Sequence, residues 1–319
     1  MCGKNRQYEI SVIVASYNPV WEKMKKTLMS ILLQKHINFE IIIVDDGSKD
    51  DLFNEIRQLF YKYDFNCYRL SPSIKNEGTV KNLYRGIQLA VGDYIKTISP
   101  GDCLYNEYTL ANWYSFVKRN KFSVSFGDYI CYNEHDCQCN IVVKKHSPYN
   151  AATFSKFTER NKMIYLVLHD YAIGSTFLSE RRLTKKYFSI IENKIKYAED
   201  CIFKLMIFQN IPLQYYSDIV IWYEVGTGIS TSGSQFWQSA IEKDNFVCDN
   251  IMQQLNKNSM DQFATKYFKL VNCDKKGIKR KIYALILFPS LFIEVLYRKF
   301  FKKYTTKRAD KRFYHKFSK

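Results

Sequence analysis

The stretch FEIIIVDDGSKD, residues 39–50, decides the fold class of this 319-residue chain. Its consecutive β-branched residues predict a strand that is buried on both faces, and the acids and Gly-Ser pair that follow predict a polar turn. Three further runs predict strands, namely EISVIVAS (9–16), FNCYRL (65–70) and DYIKTI (93–98). The first third of the chain therefore carries four strands.

Amphipathic segments separate these strands. Residues 21–35, 51–63 and 79–91 each repeat apolar residues at helical spacing. Strands that alternate with helices predict a parallel sheet covered on both faces, and such sheets bind ligands at the carboxyl ends of their strands. The polar segments expected at that edge are 16–18, 45–48 and 99–102.

The remaining chain is less regular. A hairpin is predicted from strands 123–133 and 140–146, a short strand from IGSTFLS (173–179), a helix from EDCIFKLMIFQN (199–210) and a strand from LQYYSDIVIWYEV (213–225). Two further helices are expected over 235–257 and 259–272. Residues 231–319 are therefore expected to form a C-terminal helical region.

The positive charge of the chain is concentrated at its C-terminal end. Lys and Arg outnumber Asp and Glu by 48 to 31, which gives a net charge of +17. From residue 274 onward the sequence has fifteen Lys or Arg and three acids. A basic terminus predicts an anionic partner, either a membrane surface or nucleic acid. We expect no nucleic acid, because the charge is terminal and no nucleic-acid-binding motif is present.

The segment IKRKIYALILFPSLFIEVLYRKFFKKY (278–304) carries an apolar run between basic clusters. The run has about sixteen residues, is interrupted by Pro289 and Glu294, and is shorter than the ~20 residues that span a bilayer. An amphipathic helix on an anionic membrane surface is the favoured interpretation. The alternative is a helix packed on the core with a solvated basic end.

Four segments in order carry a family resemblance: VIVASYNP (12–19), IIIVDDGSKD (41–50), NEG with GIQLAVGDYI (76–95), and the pair ED (199–200). Together they resemble a family 2 glycosyltransferase of the bacterial surface-polysaccharide type. The resemblance implies the α/β GT-A (Rossmann-like) fold, a mixed, mostly parallel sheet with helices on both faces and here a C-terminal amphipathic helical extension. The catalytic domain would cover 1–230, with a donor half at about 1–105 and an acceptor half at about 106–230.

The resemblance implies a nucleoside diphosphate sugar donor at the strand edge. Tyr17 is expected to flank the base, and Asp46 to accept a hydrogen bond from the uracil ring N–H, which suits an acceptor-only carboxylate. Asp45 would bind the donor or orient the loop. The alternative is that both acids cap a helix beginning near residue 50. The further donor-binding residues expected on this basis are Ala15, Asn18, Gly78, Ser99 and Asp102.

The strand GDYI-x-x-x usually ends, in this family, in several acids that hold a divalent metal on the diphosphate. In this chain Ser99 and Gly101 stand at two of those positions, and Asp102 is the acid that remains. One carboxylate, the diphosphate oxygens and water can still hold Mg²⁺ or Mn²⁺. The alternative is a tight turn whose Asp102 caps the next helix.

The pair Glu199-Asp200 resembles the family's catalytic motif, in which the Asp takes the proton from the acceptor hydroxyl. The alternative is that the two acids only complement the dipole of the helix they begin. Gly174, Ser175 and Thr176 resemble a segment that lines the acceptor site. Residues 224–230 (EVGTGIS) resemble a loop that closes over the diphosphate, or form a mobile loop without ligand contacts.

The resemblance and the basic end together predict an inverting transferase that moves a sugar to a hydroxyl of a saccharide or polyprenyl-linked saccharide. By family analogy the sugar is expected to be UDP-linked. Capsule, exopolysaccharide or O-antigen synthesis in bacteria is the expected setting. Nine scattered cysteines and an N-terminus without an apolar leader predict a cytoplasmic protein, peripheral on the inner face of the plasma membrane. The alternatives are a non-catalytic scaffold homologue, because acids are missing at 99 and 101, and a nucleic-acid-binding protein. A nucleotidyltransferase is disfavoured because no Gly-rich loop follows the first strand.

Overall fold

The computed structural model describes residues 7–50, 52–135, 138–145, 148, 151–226, 228, 233–256, 261–275, 277–301 and 309–317. Within them, nine strands form one sheet. The strands are β1 (Ile10–Ser16), β2 (Phe39–Asp45), β3 (Tyr68–Pro72), β4 (Tyr94–Ile98), β5 (Cys103–Leu104), β6 (Val124–His135), β7 (Gln138–Lys145), β8 (Phe177–Glu180) and β9 (Gln214–Glu224). Their order is β3-β2-β1-β4-β8-β6-β9-β5, and β7 pairs with β6.

Most strands of this sheet run in one direction. β1 is parallel to β2 and β4, β2 is parallel to β3, and β6 is parallel to β9. β8 is antiparallel to both of its neighbours, β4 and β6, while β5 and β7 are antiparallel to β9 and β6. Six of the nine described strands therefore point the same way, which confirms the predicted mixed, mostly parallel sheet.

Helices cover both faces of the sheet, as expected. The described helices are α1 (Trp21–Leu32), α2 (Phe53–Lys62), α3 (Thr79–Leu89), α4 (Thr109–Asn120), α5 (Glu159–Val167), α6 (Arg181–Ile191), α7 (Cys201–Phe208), α8 (Gln235–Leu255), α9 (Gln262–Val271), α10 (Gly277–Leu287) and α11 (Ser290–Phe301). Val12 and Ile41 pack with α1, α2 and α4, whereas Ile13 and Val44 pack with α3, α6 and α7. Strand residues are apolar in succession because both faces are buried.

The segment 173–179 differs from its prediction. It begins with a 3-10 turn, Gly174–Thr176, and pairing in the sheet starts only at Phe177. A Gly-Ser-Thr sequence can bond its own backbone locally, and Thr176 Oγ1 donates to the carbonyl of Ile173 at 2.7 Å. The turn consequently stands above the sheet edge between β4 and β6.

The C-terminal region is helical, and α8 and α9 confirm the two helices predicted there. The single amphipathic helix expected beyond them is two helices, because α10 ends at Leu287 and α11 begins at Ser290. Pro289 lacks the backbone N–H that would continue α10. Among the described residues, no helix combines the length and apolarity needed to cross a membrane.

Residues 309–317 return to the sheet. Phe313, Tyr314 and Phe317 are buried within the core on the α1, α2 and α4 side. The ring of Tyr314 lies 5.2 Å from that of Trp222 and 5.5 Å from that of Tyr132. The last described residues therefore pack on β6 and β9 and are not a wholly solvated tail.

Candidate active site

The carboxyl ends of β1 and β2 are joined by side-chain hydrogen bonds. Asp45 accepts hydrogen bonds from Ser16 Oγ at 3.1 Å and from the Ser48 backbone N–H at 2.8 Å. The Asn18 N–H donates to Ser48 Oγ at 2.7 Å, and Asn18 Oδ1 accepts from the Lys49 N–H at 2.9 Å. The two loops are thus one unit at the predicted ligand edge.

A surface pocket opens beside these loops. Its walls combine a carboxylate, hydroxyls and apolar side chains, and its lining residues are Ser16, Pro19, Met24, Asp45, Ser48, Asp50, Leu52, Phe53, Ile56, Pro72 and Ser73. The Tyr17 side chain is 53% exposed next to the pocket lining, which leaves its ring free to stack on a planar ligand. Ala15 is partly buried at the base of the same loop.

Asp46 is engaged differently from Asp45. Its carboxylate oxygens accept the backbone N–H groups of Glu77 and Gly78, each at 2.9 Å. Burial raises the pKa of Asp46, and the two amide donors oppose that shift. Asp46 therefore fixes the loop that precedes α3, and no side chain caps α2, which begins at Phe53. The uracil contact expected of Asp46 stays a prediction.

Helix α3 supplies two polar side chains that the sequence interpretation missed. Arg85 Nη2 donates to the carbonyl of Asp45 at 2.7 Å and to that of Ser71 at 3.2 Å. Asn82 Nδ2 donates to the carbonyl of Val44 at 3.2 Å. These contacts satisfy carbonyls where β2 and β3 end. The available signal was a buried Asn on the otherwise apolar face of α3.

The turn 99–102 is held by a buried hydroxyl. Thr27 Oγ1 accepts the N–H of Gly101 at 3.0 Å and donates to the carbonyl of Asp102 at 2.8 Å. The hydroxyl of Tyr132 donates to the carbonyl of Gly101. Ser99 is exposed, and α4 begins only at Thr109, so Asp102 does not cap that helix.

The carboxyl group of Asp102 is buried beside a lysine. Asp102 Oδ1 accepts the backbone N–H of Glu224 at 3.1 Å. Burial raises the pKa of Asp102 to about 7, against the opposing effects of the Glu224 amide, the Lys96 ammonium and the Ser175 hydroxyl. Burial also lowers the pKa of Lys96 to about 7, and Asp102 opposes that shift. The two groups form a buried pair under the strand edge.

Lys96 was not anticipated from sequence, because one polar residue in a β-strand ordinarily faces solvent. Its side chain is fully buried, and Nζ donates to the carbonyls of Thr97 at 2.6 Å and Ser175 at 2.5 Å. Lys96 thereby ties β4 to the 3-10 turn Gly174–Thr176. Burying an ammonium group costs free energy, and hydrogen bonds to carbonyl oxygens lower that cost.

Glu199 and Asp200 lie at the start of α7, as predicted. Asp200 is the N-cap residue, yet its side chain makes no capping hydrogen bond. Burial raises the pKa of Asp200, and burial together with the Asp200 charge raises the pKa of Glu199 to about 8. Asp244 of α8 accepts the N–H groups of Tyr197 at 2.7 Å and Ala198 at 3.0 Å and so fixes the approach to the pair.

The turn Gly174–Thr176 brings the two halves of the site together. A methyl group placed on Gly174 would lie 3.3 Å from Oε1 of Glu199, so this glycine lies directly against the acidic pair. The next residue, Ser175, accepts from Lys96 and lies beside Asp102. Gly174, Glu199 and Asp200 line a common small cavity with Thr97 of β4. The predicted base, acceptor and donor-edge residues are thus contiguous.

The loop 224–230 is described in part. Glu224 pairs with Lys23 of α1, with Nζ and Oε1 2.7 Å apart, and its N–H binds Asp102. The N–H of Val225 donates to the carbonyl of Tyr132 at 3.0 Å. Thr227, Ile229 and Ser230 lie outside the described residues, and with them the predicted closure of this loop.

The protein groups at Asp102 fit a divalent metal poorly. The described residues bring no three His, Cys, Asp or Glu side chains together as a ready-made metal site. Asp102 is 7% exposed, and the Lys96 ammonium beside it repels a cation. The Mg²⁺ or Mn²⁺ expected at Asp102 stays a prediction, and no step below depends on a metal.

A family model covers more than half of the chain. The model of the family "Glycosyl transferase family 2" matches residues 11–188. The chain belongs to this family, and the match contains the loops that end β1 and β2, the turn 99–102 and the turn Gly174–Thr176. Glu199 and Asp200 lie just beyond it.

Curated relatives resemble the first part of the chain. An uncharacterized glycosyltransferase of Rickettsia conorii is 35% identical over 127 residues, which are 40% of this chain and 20% of that protein. Glycosyltransferase GlyG of Streptococcus pneumoniae is also 35% identical, over 40% of this chain and 41% of its own length. A poly(ribitol-phosphate) beta-glucosyltransferase of Bacillus spizizenii is 28% identical over 37% of this chain and 19% of its own length. The chain thus covers less than half of each of these relatives.

Solved structures share the fold. S. aureus TarS 1–349 in complex with UDP-GlcNAc superposes with a TM-score of 0.53 over 82% of this chain and 71% of that one, at 16% identity. A second structure of TarS 1–349 gives a TM-score of 0.52 over 92% of this chain and 75% of that one. This likeness confirms the expected GT-A architecture, including part of the C-terminal region.

Proposed function

We propose that this chain is an inverting glycosyltransferase that moves a sugar from a nucleoside diphosphate sugar to a hydroxyl of a saccharide acceptor. The observation that carries the proposal is the contact of the Gly174–Thr176 turn with Glu199 on one side and with Lys96 and Asp102 on the other. This turn joins a pair of carboxyl groups with raised pKa values to the strand edge at which parallel sheets bind nucleotides.

The donor is placed at the loops that end β1 and β2. The pocket beside Asp45 has an acceptor-only carboxylate among hydroxyls, and the ring of Tyr17 is exposed nearby. These groups suit a planar base with N–H donors. UDP-linked sugars are the first donors to test, because TarS, which shares the fold, has been crystallised with UDP and with UDP-GlcNAc.

Asp200 is the proposed general base. Its carboxylate takes the proton of the acceptor hydroxyl while the hydroxyl oxygen attacks the anomeric carbon, and the bond from that carbon to the diphosphate oxygen breaks. The nucleoside diphosphate leaves, and the configuration inverts because attack and departure occur on opposite faces. Glu199 is a neighbour whose raised pKa keeps it protonated near neutral pH, which limits charge repulsion in the pair.

Substitution of Asp200 tests this assignment. Asp200→Asn keeps the size of the side chain and removes the base, so we expect transfer to fall by about 10²–10⁴-fold while donor binding changes little. Nucleoside diphosphate release is measured with a panel of UDP-, GDP- and dTDP-sugars, with and without Mn²⁺, and donor binding by thermal shift. Glu55→Gln, at an exposed acid of α2, is the matched control. An active Asp200→Asn variant would remove Asp200 from the mechanism.

A non-catalytic scaffold is the second candidate. It is favoured by Ser99 and Gly101, which stand where the family resemblance places acids. If the wild-type chain binds a donor in the thermal shift screen but releases no nucleoside diphosphate under any of these conditions, the scaffold function replaces the transferase. A lipid-linked acceptor on the inner face of the plasma membrane, in bacterial surface-polysaccharide synthesis, remains part of the transferase proposal.

A further inference from the structure

The outward faces of α10 and α11 are apolar and uncovered. On α10, Ile278, Ile282 and Ile286 recur every fourth residue and are 74%, 52% and 68% exposed. On α11, Phe292, Leu296 and Phe300 recur in the same way, and Ile293 beside them is also exposed. Large apolar side chains exposed in rows are the feature that, where they form a patch, marks a site of protein or membrane contact. These seven residues are called the outer stripe below.

The inward faces of the same two helices are fixed to the catalytic fold. Phe288 and Leu291 are buried in the main core, and Glu294 is 1% exposed. Glu294 pairs with Arg160 of α5 at 2.8 Å and with Arg298 at 3.3 Å, and Arg298 also pairs with Asp170 at 2.6 Å. The acid that interrupts the apolar run in the sequence therefore points inward. The outer stripe itself carries no acid.

Basic residues flank the outer stripe. At 100° per residue, Lys279 and Lys281 project to either side of the Ile278–Ile282–Ile286 row, and both are exposed. Lys299 lies beside Phe300 on α11 and is exposed as well. Apolar side chains framed by Lys are the pattern of helices that lie in an interface of anionic lipid.

We propose that the outer stripe docks the chain onto an anionic phospholipid surface, with α10 and α11 lying in the plane of the lipid headgroups. The apolar residues enter the boundary between headgroups and acyl chains, and Lys279, Lys281 and Lys299 contact lipid phosphates. Because Glu294 and Arg298 tie α11 to α5 and to the loop before the Gly174–Thr176 turn, docking holds the acceptor side of the site in a fixed position relative to the membrane. The surface works without the donor site, so the proposal does not depend on transferase activity.

Cosedimentation of the full chain with vesicles tests this proposal. Vesicles of phosphatidylcholine are compared with vesicles that also contain phosphatidylglycerol, for wild type, for Ile282→Glu with Phe292→Glu, and for Tyr61→Glu with Tyr63→Glu as a charge-matched control at exposed aromatic residues of α2 and its C-terminal end. We expect binding to the anionic vesicles by wild type and by the control, and about a tenfold or greater loss in the stripe variant. Thermal melts establish that all three are folded.

Three outcomes would overturn the proposal. The first is equal binding of wild type and stripe variant to anionic vesicles, and the second is no binding by either. The third is a wild-type dimer in lipid-free light scattering that becomes monomeric in the stripe variant, because the stripe would then be an interface between copies of this chain. Lys279→Gln with Lys281→Gln separates the lipid contacts, since it should weaken binding only to the vesicles that contain phosphatidylglycerol.

Discussion

Among single residues, the pair formed by Lys96 and Asp102 has the largest physical consequence. Charging either group costs free energy of desolvation, because both are buried beneath the turn 99–102. Each opposes the pKa shift that burial causes in the other. Ion pairs of this kind contribute little net stability and are often kept for a functional arrangement. Here the arrangement is the tie from β4 to Ser175.

The contribution of Lys96 and Asp102 to the free energy of unfolding should pass through a minimum near pH 7. The pKa of Asp102 is raised to about 7, so its contribution is present below its ordinary pKa and is lost as pH rises to 7. The pKa of Lys96 is lowered to about 7, so its contribution is present above its ordinary pKa and is lost as pH falls to 7. Subtracting the melting curve of Lys96→Met/Asp102→Asn from that of wild type should reveal this minimum.

The matched control for that measurement is Lys118→Met/Asp93→Asn, which removes the partly exposed pair whose atoms are 3.2 Å apart. Its difference curve should be flat near pH 7, because exposed pairs contribute only about 0–1 kcal/mol. A flat curve for the Lys96 and Asp102 variant as well would show that the two groups are not desolvated. We also expect Lys96→Met/Asp102→Asn to lose transfer activity, because it removes the hydrogen bond from Lys96 to the carbonyl of Ser175.

Among the elements, α3 connects the loops that end β1 and β2 to the segment before the proposed base. Its preceding loop is bound by Asp46, its side chains Asn82 and Arg85 bind the ends of β2 and β3, and the Val80 N–H donates to the carbonyl of Lys196 at 3.1 Å. Three residues after Lys196 comes Glu199. A shift at the start of α3 therefore reaches both sides of the site.

Gly78→Ala should test this connection between the two sides of the site. Gly78 has φ +97°, and an added Cβ would lie 2.4 Å from Cγ and 2.7 Å from the carbonyl oxygen of Lys196. The loop before Glu199 must move, so we expect at least about a tenfold loss of kcat, since a small misplacement of a catalytic group costs up to about 10²-fold. Gly233→Ala is the control, because Gly233 has φ +70° with open space around it. Equal kinetics for both variants would contradict the connection through Lys196.

Local patterns predicted the elements well and their partners poorly. Apolar runs and helical spacing located β1, β2, β4 and the helices between them, since those patterns follow from burial on known faces. The acids were predicted at the strand ends, but the bond from Asp46 to Glu77 joins residues whose separation in sequence carries no local signal. Lys96 was missed for the same reason, because its carbonyl partner on Ser175 lies in a distant turn. The helix break at Pro289 could be predicted from the sequence. The inward orientation of Glu294 could not, because it depends on the ion pair with Arg160.

For the whole molecule, the last described segment, residues 309–317, packs in a different core cluster from the one that α10 and α11 contact. The Asp310 N–H donates to the hydroxyl of Tyr105 at 3.0 Å, and Lys316 pairs with Glu107 at 3.0 Å. Tyr314 packs on Tyr132, whose hydroxyl binds the turn 99–102 through Gly101. Residues 309–317 therefore pack against residues that hold the turn 99–102. Part of the basic C-terminal region thus contributes to the stability of the fold.

Tyr314→Ala should consequently destabilise the whole catalytic fold. The side chain is 1% exposed among the rings of Trp222 and Tyr132, and truncating a large buried aromatic residue costs about 3–5 kcal/mol through lost burial and a residual cavity. Urea unfolding followed by tryptophan fluorescence measures the change, because Trp222 lies in this cluster. Tyr61→Ala removes a tyrosine that is 88% exposed, so its free energy of unfolding should change by less than about 0.5 kcal/mol. Equal midpoints for the two variants would show that the segment 309–317 does not belong to the folded core.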